Sequence, residues 1–209
     1  MDCHQCHQNN GSCGSKRSLR WLPFGENFNR PPIEPSGPQI ALVGMPNVGK
    51  SVLFHALTGT YVTVSNYPGT TVEVTRGAMT LDDRAVSVID TPGMYSLLPI
   101  SEEERVARDL LMSEPFGAIV HVLDAKNLGR MLALTVQLLE AELPVIVAVN
   151  MMDEAQRWGL TIDREALIEK LGVPVVLMAA ARNWGVDQLR EALADRLASA
   201  PAPVLAAVG

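Results

Sequence analysis

The stretch "QIALVGMPNVGKS", residues 39–51, decides the fold. Its first half is an apolar run rich in β-formers, and its second half, "GMPNVGKS" (44–51), satisfies the pattern G-x-x-x-x-G-K-[ST] in full. A strand, a glycine-rich turn and a helix in that order make the backbone N–H groups of the turn converge on an anion at the helix N-terminus. The residues expected around the phosphates are Gly44, Met45, Pro46, Asn47, Val48, Gly49, Lys50, Ser51 and Val52. In this pattern the lysine reaches the terminal phosphates and the hydroxyl of the last residue ligates Mg²⁺. Lys50 and Ser51 take those parts, which makes Ser51 a candidate metal ligand.

Downstream, "VIDTPG" (88–93) ends an apolar strand on Asp90, with Thr91, Pro92 and Gly93 forming the turn. Asp90 is suited to hold Mg²⁺ through water. Gly93, lacking a side chain, lets its N–H approach a terminal phosphate. The next residue is Met94, whose thioether cannot orient an attacking water as a glutamine would. The stretch "YVTVSNYPGTTVEV" (61–74) lies between the first helix and the next strand, where a phosphate-sensing segment belongs. Gly69, Thr70 and Thr71 are its candidate contacts. Thr71 is the preferred second Mg²⁺ ligand, and Thr70 is the competing choice.

The base is read from "VNMMD" (149–153), an N-x-x-D pattern after a third apolar strand. The Asp153 carboxylate can accept from guanine N1–H and the 2-amino group together. Adenine offers a lone pair at N1 and no 2-amino group, and a buried acceptor left unpaired costs about 1–3 kcal/mol. GTP and GDP are therefore the expected ligands. Asn150 braces the base and the phosphate loop, while Met151 stands where a lysine is usual. In "MAAAR" (178–182), Ala179 and Ala180 replace the usual Ser-Ala, and a backbone N–H of Ala179, Ala180 or Ala181 is placed to meet guanine O6.

Around these motifs the 209 residues alternate short β-rich runs with helical patterns, the signature of an α/β fold on a mostly parallel sheet. The expected architecture is a P-loop NTPase of the small-GTPase type, six strands with one antiparallel and helices on both faces. The antiparallel strand comes from a hairpin around Asp82 and Asp83, between "VEVTRGAMTL" and "RAVSVID". Ser101 and Glu104 form a capping box opening the next helix. A later helix should stop at Gly172, and "DQLREALADRL" should be the last. His121, in "IVHVLD", reads as a core histidine.

Residues 38–199 are the expected GTP-binding domain, preceded by an arm and proline-rich linker (1–37) and followed by a tail (200–209). All three cysteines fall in the arm, as Cys3, Cys6 and Cys13, beside His4 and His7. That cluster is either a transient soft-metal contact or a solvated tail with incidental thiols. A body without cysteines fits a reducing cytosol. The net charge of −6 and pI near 5.2 argue against a nucleic-acid surface. No secretory signal is visible, and the longest apolar stretches, such as 143–152, are too short to span a bilayer.

The set "GMPNVGKS", "VSNYPGTTVE", "DTPGMYSL", "LDAKNLGRMLALTVQLLE" and "PVIVAVNMMDEA" resembles the GTPase domain of ferrous iron transport protein B, over about residues 38–195. The resemblance implies a GTPase that regulates Fe²⁺ transport from the cytoplasmic face of the membrane. It also implies two partners, a helical domain and a polytopic Fe²⁺ permease. Neither lies in this chain, which reads as a truncated, split-gene or free-standing relative. The family dispenses with the switch glutamine. By resemblance, Asn47 helps bind K⁺ beside the phosphates, and carbonyls near Ser65 and Tyr67 complete its shell. Asn47, Lys50, Thr71 and Gly93 are accordingly the expected catalytic set, with slow, K⁺-stimulated hydrolysis. Two other readings stay open: a ribosome- or tRNA-associated GTPase, and a metal-binding docking module on a GTPase scaffold.

Overall fold

A computed structural model describes residues 37–59 and 62–199. The Cys/His arm, most of the linker and the C-terminal tail lie outside the described residues.

The element order is β1 (Gln39–Val43), α1 (Lys50–Thr58), β2 (Val62–Asn66), β3 (Glu73–Leu81), β4 (Arg84–Asp90), α2 (Glu102–Ser113) and β5 (Phe116–Asp124). It continues with α3 (Leu128–Glu140), β6 (Val145–Asn150), α4 (Met152–Arg157), α5 (Arg164–Leu171), β7 (Val175–Leu177) and α6 (Val186–Ser199). One sheet of seven strands runs in the order β2-β3-β4-β1-β5-β6-β7. Strand β3 is antiparallel to both of its neighbours, and all the other pairings are parallel.

The strand count exceeds the six expected from sequence. The additional strand, β2, lies inside the segment read as a phosphate sensor, and every one of its residues is exposed. It pairs only with β3, with Ser65 opposite Val74 and Asn66 opposite Glu73. The run Val62-Thr63-Val64-Ser65 alternates in the strand period, but it is short and both its valines face solvent, so the pattern marks no core-facing strand.

The central strands behave otherwise. Ile40, Ala41, Leu42 and Val43 of β1 are fully buried, as is nearly all of β5 and β6. Parallel strands covered on both faces read as continuous apolar runs for this reason. In β4, Val88 joins the main core with Leu53 and Phe54 of α1, whereas Ile89 faces a smaller cluster with Val74 and with Val106 and Leu110 of α2. Helices therefore lie on both sheet faces.

Local signals set the boundaries. Asp82 and Asp83 both adopt positive φ (47° and 60°), the left-handed pair that a two-residue hairpin turn requires. The Ser101 hydroxyl accepts from the Glu104 N–H and the Glu104 carboxylate accepts from the Ser101 N–H, completing the capping box. Gly172, at φ 69°, closes α5. His121 is fully buried, with Nδ1 3.0 Å from Thr135 Oγ1. Among the described residues, no helix is long and apolar enough to cross a membrane.

Candidate functional site

The carboxyl ends of β1, β4 and β6 lie on one edge of the sheet, and each carries one of the motifs. The topology reverses around β1, whose neighbours are β4 on one side and β5 on the other. Ligands of open α/β sheets bind at such a reversal, outside the carboxyl ends of the strands.

The loop after β1 is wound tightly. Gly44, Asn47 and Gly49 all have positive φ (154°, 64° and 88°), so successive N–H groups turn toward one concavity. A Cβ on Gly44 would lie 2.5 Å from the Val122 carbonyl oxygen, and one on Gly49 would lie 2.5 Å from Asn150 Nδ2. Glycine is required at both places by space as well as by conformation. Pro46 and Asn47 are exposed, whereas Met45, Val48 and Lys50 are buried.

Lys50, only 9% exposed, sits near Asp90. Burial lowers the pKa of its amine, and the Asp90 carboxylate partly restores it. Burial likewise raises the Asp90 pKa, against the opposing pull of Lys50, a hydrogen bond from Ser51 and the charge of His55. Ser51 Oγ donates to Asp90 Oδ2 at 2.9 Å. The other oxygen, Asp90 Oδ1, is buried with no hydrogen-bond partner among the described residues. A buried carboxylate oxygen without a donor, beside a serine hydroxyl, is a donor set that fits a small hard cation.

The turn after Asp90 is fixed to β1. Thr91 is buried, and both its N–H and its hydroxyl donate to the Leu42 carbonyl, at 3.2 and 2.8 Å. Gly93 packs against the phosphate loop so closely that a Cβ there would lie 2.7 Å from Pro46 Cγ. The Met94 N–H donates to the Gly44 carbonyl, while its side chain is fully buried in the main core. Beyond it, the Glu104 carboxylate accepts from the N–H groups of Tyr95 and Ile100, and Gln137 accepts from Ser96 Oγ and the Leu97 N–H. The capping box could be read from sequence, but the reach of Glu104 back to Tyr95 could not. Gln137 carries no local signal.

On the β6 side, Asn150 is a buried strut. Its Nδ2 donates to the Val48 carbonyl at 3.0 Å, and its Oδ1 accepts from the Ala180 N–H at 2.9 Å. One amide thus joins the phosphate loop to the loop after β7. Met151 adopts positive φ (61°), turning the chain into α4, and the Met152 N–H donates to the Met178 carbonyl. Asp153, with its side chain 24% exposed, has Oδ2 2.7 Å from Arg182 Nε. Arg182 ends the "MAAAR" stretch, and no motif in the sequence gives it a part. Lys126, after β5, is instead paired with Glu154.

The segment carrying Gly69, Thr70 and Thr71 is a closed turn. Tyr67 and Val72 are joined by a backbone hydrogen bond, and the Tyr67 carbonyl accepts from both the N–H and the hydroxyl of Thr70. Thr71 is exposed and makes no side-chain hydrogen bond among the described residues. The structure therefore brings Ser51 and Asp90 together and does not join Thr71 to them.

Fold and loop define a P-loop nucleotide-triphosphatase domain of the small-GTPase type. The chain belongs to the ferrous iron transport protein B family, whose pattern it matches over residues 38–193. It is 43% identical over 134 residues to the Fe(2+) transporter FeoB of Staphylococcus aureus (strain COL), an alignment covering 64% of this chain and 20% of that protein. The chain thus spans about one fifth of the length of the curated relatives it matches. Among solved structures, it resembles the cytosolic domain of the T. maritima FeoB iron transporter in a GDP form, with TM-score 0.75 and 40% identity, covering 78% of this chain and 64% of that one. It also resembles the FeoB G-domain from Methanococcus jannaschii, with TM-score 0.68 and 38% identity, covering 77% and 97% respectively.

Proposed function

We propose that this domain binds GTP, hydrolyses it to GDP and phosphate, and so switches ferrous iron transport at the cytoplasmic face of a membrane. The observation carrying this reading is the joint placement of Lys50, the Ser51–Asp90 pair, Asn150 and Asp153 at one sheet edge. Its support from relatives is the GDP form of the T. maritima cytosolic domain. In the proposed arrangement the amides of residues 44–51 cradle the phosphates and Lys50 reaches the outermost oxygens. Gly93 gives its N–H to the terminal phosphate. Asp153 accepts from the guanine N1–H and 2-amino groups, and a backbone N–H of the 179–181 stretch donates to O6.

Ser51 and Asp90 would hold Mg²⁺, with Thr71 as the further ligand once its segment folds over the phosphates. Bound there, the ion neutralises charge on the phosphate oxygens. Asn47, exposed and in the left-handed region, is the proposed K⁺ contact, with carbonyls near Ser65 and Tyr67. A fixed monovalent cation supplies the charge stabilisation that an arginine finger gives elsewhere. This reading accommodates a buried Met94, because no side chain at position 94 is asked to orient water.

The test is GTP turnover with Mg²⁺ in KCl against NaCl, for the wild type and Asn47→Ala. The expected result is K⁺ stimulation that Asn47→Ala abolishes. Turnover indifferent to both the cation and the substitution would refute the K⁺ assignment. Absence of guanine-nucleotide binding would refute the whole reading.

A further inference from the structure

We infer that Arg182 is a positioning residue for the base-reading carboxylate, and so sets purine selectivity. The inference rests on the nucleotide site proposed above.

The 179–184 loop is pinned at its base. The Ala179 N–H donates to the Trp184 carbonyl at 2.9 Å, and the Trp184 N–H donates back to Ala179 at 3.3 Å. Between them the chain makes a single 3-10 turn, Ala180–Arg182, and reverses at Asn183 with φ 54°. Arg182 is therefore carried on a short, closed loop. That same loop supplies the Ala180 N–H held by Asn150 Oδ1.

Across from it, Asp153 lies in the first turn of α4, and α4 is tied to the strand end through Met152 N–H and the Met178 carbonyl. The backbones of the two loops are thus fixed relative to one another. The Asp153 side chain still has rotatable bonds, and a two-point contact to a base edge needs both oxygens in one plane. The usual serine of the last motif would offer a hydroxyl in this region, and Ala179 offers none. Lys126 is engaged with Glu154. The cation on Asp153 is Arg182, with Nε 2.7 Å from Oδ2, and the second lone pair of Oδ2 together with Oδ1 stays open to a base edge. Arg182 holds the carboxylate without consuming its capacity to accept from a base.

The Arg182 side chain is 55% exposed, and ion pairs this open to water add little to stability. The function of the pair is therefore orientation, read out in selectivity. Inosine diphosphate is the informative probe, because it keeps N1–H and O6 but lacks the 2-amino group. The ratio of GDP to IDP affinity reports the second half of the Asp153 contact.

Affinities for GDP and IDP are to be measured with Mg²⁺ on the full chain, for the wild type, Arg182→Gln, Arg182→Lys, Asp153→Asn and the Arg182→Gln/Asp153→Asn double variant. The wild type should prefer GDP by about tenfold or more, the scale of a hydrogen bond to a charged group. Arg182→Gln should reduce that ratio to about a third or less, and Arg182→Lys should retain part of it. In the Asp153→Asn background, adding Arg182→Gln should change nothing further. Thermal unfolding of each nucleotide-free variant, matching the wild type, excludes a folding defect. An unchanged ratio in Arg182→Gln overturns the inference. So does tighter GDP binding, which would make Arg182 a competitor of the base. A wild type that binds neither nucleotide overturns the nucleotide site itself, a result distinct from both.

Discussion

Met94 occupies the position at which a water-orienting glutamine would sit, and Met94→Gln tests whether restoring one helps. Met94 is fully buried, packed in the main core while its N–H is bound to the Gly44 carbonyl. Glutamine is close to methionine in length and volume, so little is lost in packing. The cost comes from the amide, which enters the apolar main core. Mutational data put an uncompensated buried polar group at about 1–3 kcal/mol, so Met94→Gln should lower unfolding stability by about that much. Met94→Leu is the control, expected within about 1.5 kcal/mol of wild type because volume is conserved. Urea unfolding of the nucleotide-free chain measures both. GTP turnover in KCl then separates the two views of position 94. Facing the core, Met94→Gln gains no turnover, because the added amide cannot reach a water beside the phosphates. A tenfold faster, undiminished-stability variant would show that the side chain faces the phosphates, and the reasoning from burial would be wrong.

Asn150→Ala removes a strut that pairs the buried Ala180 N–H and the Val48 carbonyl, so stability should fall by about 2–6 kcal/mol in urea, at about 1–3 per orphaned group. GDP affinity should fall with it, since both loops lose their common anchor. Gly93→Ala places a methyl 2.7 Å from Pro46 Cγ and must push the turn off the phosphate loop. Turnover of GTP should drop by about tenfold or more, given that small misplacements cost that much. His121 titrates at about 3 rather than 6.5 because burial disfavours its cation. The unfolded chain takes up that proton first, so stability falls as pH drops below 6.5, by about 1.3 kcal/mol between pH 7 and 5.5. A His121→Leu variant should lack this portion of the slope in paired unfolding curves.

The fold was legible where short-range chemistry specifies structure. The glycine turn before Lys50, the Asp82-Asp83 hairpin, the Ser101–Glu104 box and the Gly172 stop each draw on residues within a few positions of one another. Strand β2 was not legible, because its one partner is β3 and neither of its faces meets the core. Met94 posed a different problem. It follows a turn, where no period of 2 or 3.6 tells a reader which way a side chain points. The Arg182–Asp153 and Gln137–Leu97 contacts join residues 29 and 40 positions apart, and depend on loops whose closure no local motif encodes.

The β2–β3 hairpin bears directly on how the proposed switch would work. The Tyr67 carbonyl already accepts from two Thr70 donors, which occupies both of its lone pairs, and Ser65 sits in register with Val74. A carbonyl so engaged cannot also ligate K⁺, and Thr71 in this turn does not meet Ser51 or Asp90. For the segment to close over a triphosphate this turn has to open, and the adjoining β2 can leave β3 to follow it. That departure is inexpensive by construction: β2 is five residues long, exposed throughout and paired on one side only, so water can take up the hydrogen bonds it releases. Strand β3 loses nothing else, since its other edge stays paired to β4 from Thr75–Asp90 to Leu81–Arg84. An edge strand with no buried face can thus exchange partners without disturbing the core, and β2 lies in the segment that the proposed switch needs to reorder.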